Sequence, residues 1–538
     1  MNSSGKIAIA LLSTLLLGIG SCGAGEPISD PSGLVEVPDL GETPESGKET
    51  PRCYYVSTTG DDSASGTEDE PLRTINCALG RVAPGDTVLV RGGSYHEFVR
   101  PTVSGERGRV ITLAACPGET VKIDGTGLEI SGWLRALVRV EVDYMTFENL
   151  HVCHAVNAAP NSDPEGFYIC GSARGITLRG CKVYDIRNTS LQNSSEDWRS
   201  AHAILVVGTD DNRPIRDLLI DGCEVFDICS GTSESVTIAG NVDGFTVCNS
   251  RVHDVENIGI IVAGGETLNP GGDVAVNYAR NGVIRDNRVY NCTHTKSPEY
   301  WGPDRYGAIG IYVCGGSGTV VERNVVYGCD RGIGLVSECD YRPTKDCIVR
   351  NNFVYNCNRT AIYMGDYLNF YGAGTHGCCV INNTVYNNNA VRGGLGEEDG
   401  EGEIRLTENC TDNVVMNNIV YARPERDVFI RKYTQTGSDN VIDYNHYYTA
   451  GTPKWIWDDV PYDDYEAWKA ASGCDAHSVY GVDPLLVKAS PEAVDLHLQE
   501  HSPARNTGHF LSAYFNGETD IDGDPRSVEG VVSKGADQ

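Results

Sequence analysis

Glu338, Asp366, Glu403 and Arg405 stand in three short apolar runs, Gly332-Ile-Gly-Leu-Val-Ser-Glu338, Ala361-Ile-Tyr-Met-Gly-Asp366 and Glu403-Ile-Arg-Leu-Thr407. Carboxylates brought together this way can exchange a proton with a bound molecule as general acid and base, and a guanidinium beside them can hold developing negative charge. In a strand, alternate side chains point to opposite faces. With Ile333, Leu335, Ile362, Met364, Ile404 and Leu406 turned inward, Glu338, Tyr363, Glu403 and Arg405 are expected outside, with Asp366 at a strand end. Gly307-Ala-Ile-Gly-Ile-Tyr-Val313 adds Tyr312 to that outer face if Ile309, Ile311 and Val313 go inside. Upstream, His202, Glu234 and Asp254 flank similar runs and are expected at the edge of the same surface, as contacts to a ligand. Surface acids are common without any role, and His253 has the position of a packing residue.

The elements that must position these residues are written as a repeat. The phrase apolar strand, polar step, Asn, outward residue, Val, aromatic occurs as Ile284-Arg-Asp-Asn287-Arg-Val-Tyr290, Val321-Glu-Arg-Asn324-Val-Val-Tyr327, Val349-Arg-Asn-Asn352-Phe-Val-Tyr355, Ile381-Asn-Asn383-Thr-Val-Tyr386 and Val415-Met-Asn-Asn418-Ile-Val-Tyr421. Leu150, Cys181, Cys223 and Ser250 hold the Asn position upstream, and Asn445 holds it downstream, at intervals of 27 to 42 residues. A fixed phrase with a variable gap predicts a solenoid of strands with one invariant corner and one variable loop per rung. Val, Tyr, Ile and Thr content and the Asn-Asn pairs oppose a helical repeat. The short amide of Asn can accept from one rung and donate to the next, so these residues are expected to form a buried ladder. Cys292, Cys329 and Cys357, each two residues after the repeat aromatic, are expected to stack as small buried hydrophobes rather than bind metal.

On these repeats the chain resembles the right-handed parallel β-helix proteins of the pectate lyase superfamily over roughly residues 53–538. Tyr54-Tyr-Val-Ser-Thr-Thr-Gly-Asp-Asp62 with Pro84-Gly-Asp-Thr-Val-Leu-Val-Arg-Gly-Gly-Ser-Tyr95 is similar to the opening of many secreted bacterial members, and Thr519-Asp-Ile-Asp-Gly-Asp-Pro-Arg526 to their closing segment. Within them it looks most like polysaccharide lyase family 9. The resemblance implies an all-β fold and cleavage of uronic-acid-containing glycans by β-elimination, with calcium as a cofactor. In family 9 the base is a Lys on the groove sheet and calcium is held by Asp residues. At the matching outward positions this chain has Ile261, Tyr312, Gly334, Tyr363 and Arg405, which leaves Arg405 as the base, with Glu338, Glu403 and Asp366 beside it. Tyr312 and Tyr363, with His202, Glu234 and Asp254, are then substrate contacts. Two other readings stay open. Glycoside hydrolysis needs two carboxylates about 5 to 10 Å apart, which rungs about 4.8 Å apart can supply. Exposed tyrosines could also bind a glycan without any chemistry.

Residues 1–22, with Lys6, an apolar run from Ile7 to Leu17 and Ile19-Gly-Ser-Cys22, read as an export signal ending in a lipobox-like cysteine, so Cys22 is the expected lipidation site. Residues 23–50 read as a flexible linker and 51–538 as one β-helix domain: cap and first rungs over 51–140, central repeats over 141–450, closing segment over 451–538. Leu72, Ile75, Leu79 and Val82 at helical spacing after Pro71 predict a short capping helix. The expected location is the exterior, as a cell-surface or outer-membrane lipoprotein or a secreted protein, with membrane contact only through the anchor. A net charge of −31 opposes nucleic acid and anionic lipid as partners. A polysaccharide is the expected partner and the chain is expected to be monomeric. Of the 20 cysteines, Cys53 with Cys77 and Cys314 with Cys339 are possible disulfide pairs.

Overall fold

The computed structural model describes residues 50–191, 197–366, 372–391, 400–425 and 428–538. The export signal, Cys22 and the linker to residue 49 lie outside the described residues. From residue 51 the described residues wind through three stacked sheets, A and B with 13 strands each and C with 12, most rungs giving one strand to each sheet. The pairing along all three is parallel, apart from the last pair of sheet C, where Lys454–Trp457 meets Val460–Tyr462 antiparallel and closes that end. This is the parallel β-helix expected from the repeat.

The corner phrase explains itself in the structure. In each Asn-Asn pair the first residue (Asn351, Asn382, Asn417) takes the left-handed conformation, with φ of 55 to 58°. Asn tolerates it better than branched residues do. The second residue (Asn352, Asn383, Asn418) turns inward. Asn352 Oδ1 accepts from the backbone N and Nδ2 of Asn324, at 2.8 and 3.0 Å, while Asn352 Nδ2 donates to Asn383 Oδ1 at 2.9 Å. The same exchange runs from Asn287 to Asn445, and every member is buried. Cys292, Cys329 and Cys357 stack as a buried column that ends in Asn388, whose Oδ1 accepts from the Cys357 N. All described cysteines are free thiols, so Cys53–Cys77 and Cys314–Cys339 are not bonded.

The inner face of sheet C is an apolar ladder, one residue per rung, aromatic at Phe167 and then aliphatic: Ile204, Val236, Ile260, Ile311, Ile333, Ile362, Ile404 and Ile430. Burying such side chains is the main source of stability. At the open start the capping helix is Ile75–Leu79, shorter than its apolar pattern, with Thr74 Oγ1 accepting from the Cys77 N. At the far end Tyr465–Ser472 is helical and lays Trp468 against Trp455, both fully buried.

Candidate active site

On sheet C each early strand opens with a triplet, an outward residue, a small inward residue and a large inward one. The triplets are Glu165-Gly-Phe, His202-Ala-Ile, Glu234-Ser-Val, Ile258-Gly-Ile, Ile309-Gly-Ile and Arg331-Gly-Ile. Two neighbours in the chain can both face inward here because the small residue sits at the bend: a Cβ on Gly259 would meet Cys292 Sγ and Val289 in the core. The outward residues therefore line up across rungs, Glu165 beside His202, Glu234 beside Ile258 and Ile309 beside Arg331. Ile309 thus belongs to the outer face with Ile258, Ile261 and Tyr312, not to the inside as simple alternation expects.

An open cleft of about 780 Å³ lies over this row. Glu234, Tyr312 and Glu338 lie along it, with Trp301 and Tyr341 also in its lining. Glu338 is exposed and its Oε1 accepts from Tyr312 Oη at 2.9 Å. Burial raises the Glu234 carboxyl above its ordinary value; His202 and the Thr237 hydroxyl oppose this, and the charge of Glu338 adds to it. Thr237 Oγ1 donates to Glu234 Oε2 at 3.2 Å. Trp301 stacks on His294 with ring centroids 3.7 Å apart, and its buried indole N–H has no hydrogen-bond partner. His294 is kept neutral, its pKa pushed down to about 3 by burial and by Arg331, Arg359 and Arg305.

Beneath the upstream edge lies a buried acid cluster. Ser200 Oγ donates to Asp163 Oδ1 at 2.8 Å, and His202 Nε2 is 3.8 Å from the same oxygen. His202 Nδ1 faces the Glu234 carbonyl at 2.9 Å and Thr237 Oγ1 at 3.0 Å. Asp163 and Glu165 are fully buried and their carboxyls meet in a side-chain hydrogen bond to each other. Burial drives Asp163 up to about 7, and burial together with the charge of Asp163 drives Glu165 well up. Asp163 and Glu165 escape a reading of the sequence by simple alternation, but Glu165-Gly-Phe carries the same signal as Glu234-Ser-Val.

The downstream residues are placed differently from expectation. Arg405 faces outward but is only 3% exposed, and its guanidinium pairs with Glu401, which also holds Arg331 Nε at 3.0 Å and Arg359 Nη2 at 2.6 Å. Glu403 is fully buried and turned into the corner, where Asn388 N and Nδ2 donate to it at 2.9 and 2.7 Å. Asp366 is buried and accepts from Gly374 N and Asn409 Nδ2. Tyr363 and Tyr312 sit on the outer face, each about 1% exposed, so neither offers its ring face to solvent. Asp254 belongs to another surface, the outer face of sheet B, where it meets His253 Nδ1 at 2.8 Å and Asn291 Nδ2 at 3.1 Å. His253 packs between Phe226 and Tyr290 in a column of stacked rings, as its position implied. Of the expected site residues, the structure brings His202, Glu234, Tyr312 and Glu338 to one cleft and its edge.

Comparison with known proteins places this architecture. A model described as "Pel9A-like, right handed beta helix region" matches residues 54–257, and one described as "Right handed beta helix region" matches residues 165–367. The uncharacterized protein YwoF of Bacillus subtilis (strain 168) is 31% identical over 459 residues, covering 84% of this chain and 92% of YwoF. Pectate lyase PEL9 of Emericella nidulans is 41% identical over 76 residues, 14% of this chain and 18% of that protein. The crystal structure of pectate lyase Pel9A aligns over 91% of this chain and 97% of its own at 14% identity, with a TM-score of 0.37. With its repeat, its three stacked parallel sheets and a relative this similar over most of its length, the chain belongs to the Pel9A-like right-handed parallel β-helix proteins of the pectate lyase superfamily.

Proposed function

We propose that this protein cleaves polysaccharide chains bound in the sheet C cleft, with Glu234 as proton donor and Glu338 as the opposing carboxylate. The observation that carries this reading is their pairing: a carboxyl raised by burial shares one cleft with an exposed carboxylate whose charge it feels. A raised acid facing a second carboxyl across one cleft can divide the roles of acid and base with it. For hydrolysis Glu234 donates to the leaving glycosidic oxygen while Glu338, held by Tyr312, activates water or attacks the sugar.

Elimination is the second reading, favoured by the Pel9A-like family match. Arg405 does not serve it as a base, being buried against Glu401. A uronate in a cleft with Glu234, Glu266 and Glu338 needs a cation beside it. Asp163 and Glu165, two adjoining carboxyls with hard oxygen atoms, are the residues that would hold a cation such as calcium in place of the proton they share. Bound there, it would offset carboxylate charge near the substrate; His202 and Ser200 keep Asp163 in place with or without it.

The test is a panel of neutral and acidic polysaccharides, assayed with calcium and with chelator. New reducing ends without ultraviolet-absorbing unsaturated product support hydrolysis, and unsaturated product abolished by chelator supports elimination. Full activity in both Glu234→Gln and Glu338→Gln would sink the assignment to this cleft. Export with lipidation at Cys22 is part of the same proposal: wild type produced in a bacterial host partitions into membranes, and Cys22→Ala does not.

A further inference from the structure

The outer face of sheet B carries a column of residues in register, one per rung: Asp124, Cys153, Tyr184, Phe226, His253, Tyr290, Tyr327, Tyr355, Tyr386, Tyr421 and Tyr448. From Tyr184 to Tyr355 the rings stack nearly parallel, centroids 4.6 to 5.4 Å apart. Over the seven rungs from Tyr184 to Tyr386 the residue after the ring takes a left-handed conformation, and it is Asp185, Asp227, Asp254, Asn291, Gly328, Asn356 and Asn387. These are the types that tolerate this backbone most readily.

At the head of the column both rules break together. Cys153 replaces the ring, and His154, with φ of 59°, replaces the Asp, Asn or Gly. Asp124 sits one rung above. The side chains converge: His154 Nδ1 lies 2.9 Å from Asp124 Oδ1 and 3.5 Å from Cys153 Sγ, and one ligand atom from each residue falls within 4.8 Å of the others. Donors around a tetrahedral zinc with bonds of about 2.0 to 2.3 Å lie about 3.3 to 3.6 Å apart, so small movements close this set around an ion. His154 Nε2, on the far side of the ring, faces Asp185 Oδ2 at 3.9 Å. A carboxylate behind the ring is the outer-shell partner that fixes a metal-binding imidazole. Asp124 is oriented by the Thr126 N, which donates to Oδ1 at 2.9 Å. Asp124 and Cys153 are buried, whereas the His154 side chain is 34% exposed and leaves one corner open to solvent.

We propose that Asp124, Cys153 and His154 form a binding site for a divalent transition metal of zinc's ligand preference, with Asp185 orienting the imidazole. Thiolate and imidazole favour such an ion over calcium or magnesium. The site lies on sheet B, away from the sheet C cleft, and does not depend on the function proposed for it.

The full chain, made without a polyhistidine tag, is incubated with zinc sulfate, desalted and assayed for metal. Close to one zinc per chain is expected beyond that retained by Cys153→Ser. Cobalt(II) in its place should give the absorption of a tetrahedral site with a thiolate-to-cobalt charge-transfer band, lost in Cys153→Ser. His154→Asn restores the residue type used down the column, so it should fold with an unchanged circular dichroism spectrum yet lose the ion. Wild type retaining no more zinc than these two variants, or a cobalt spectrum without the thiolate band, overturns the proposal.

Discussion

The outer face of sheet C is one continuous surface with two electrostatic regimes. Upstream, around Asp163, Glu165, His202 and Glu234, carboxyl groups carry pKa values raised by burial, next to an open cleft. Downstream, Arg331, Arg359 and Arg405 close on the single carboxylate of Glu401, and Glu403 is held by Asn388. Both regions use the same strand phase. Acids raised by burial beside a cleft are available for chemistry, whereas groups that satisfy one another hold the solenoid together.

Activity separates the two regions most sharply. Glu234→Gln should lower turnover by roughly 10² to 10⁴-fold, the usual scale for losing a general acid, with little change in melting temperature. Arg405→Ala should leave the specific activity of folded protein close to wild type. A larger loss of turnover in Arg405→Ala at an unchanged melting temperature would reverse the comparison.

Stability should show the opposite order. Glu401→Ala removes the carboxylate that three buried guanidinium groups share and should cost about 3 to 5 kcal/mol, read by denaturant unfolding. Asn352→Leu should cost about 1 to 3 kcal/mol, because its neighbours Asn324 and Asn383 lose their bonds. The same change at Ser250, where a hydroxyl stands just before the amide ladder, should cost less. Equal losses at the two positions would argue against the ladder as a stabilising element.

A further effect concerns pH. Burial pushes Glu403 up to about 8 against its two bonds from Asn388. Its folded pKa lies above its unfolded one, so its contribution is full below the ordinary Glu range and is lost as pH rises through about 8. Wild type should therefore lose melting temperature between pH 5 and pH 8.5, on the Glu scale, and Glu403→Gln should flatten part of that slope. An identical slope in the variant would show that Glu403 does not titrate over this range.

Period, corner and core were legible in the sequence. Asn287 through Asn445 are buried amides because nothing else of that size both accepts and donates along a stack, and Ile333, Ile362 and Ile404 go inside because strand alternation leaves them no other face. Glu338 at the cleft also followed from phase alone. Phase failed at Ile309, because a small residue at the bend lets two successive side chains turn inward and shifts the outward one. Glu165 was hidden for the same reason.

The sequence by itself thus determined the parallel β-helix, its ladders and its caps, since each rests on a local pattern repeated rung after rung. The tertiary structure decided which outward residues are solvent-facing and which partners they meet. Arg405 and Tyr363 point away from the core yet are buried, Arg405 meeting a carboxylate supplied by its own rung's variable loop, while Asp124, Cys153 and His154 converge from adjacent rungs. Exposure and charge pairing across rungs depend on loops of unequal length, and neither is fixed by alternation within one strand.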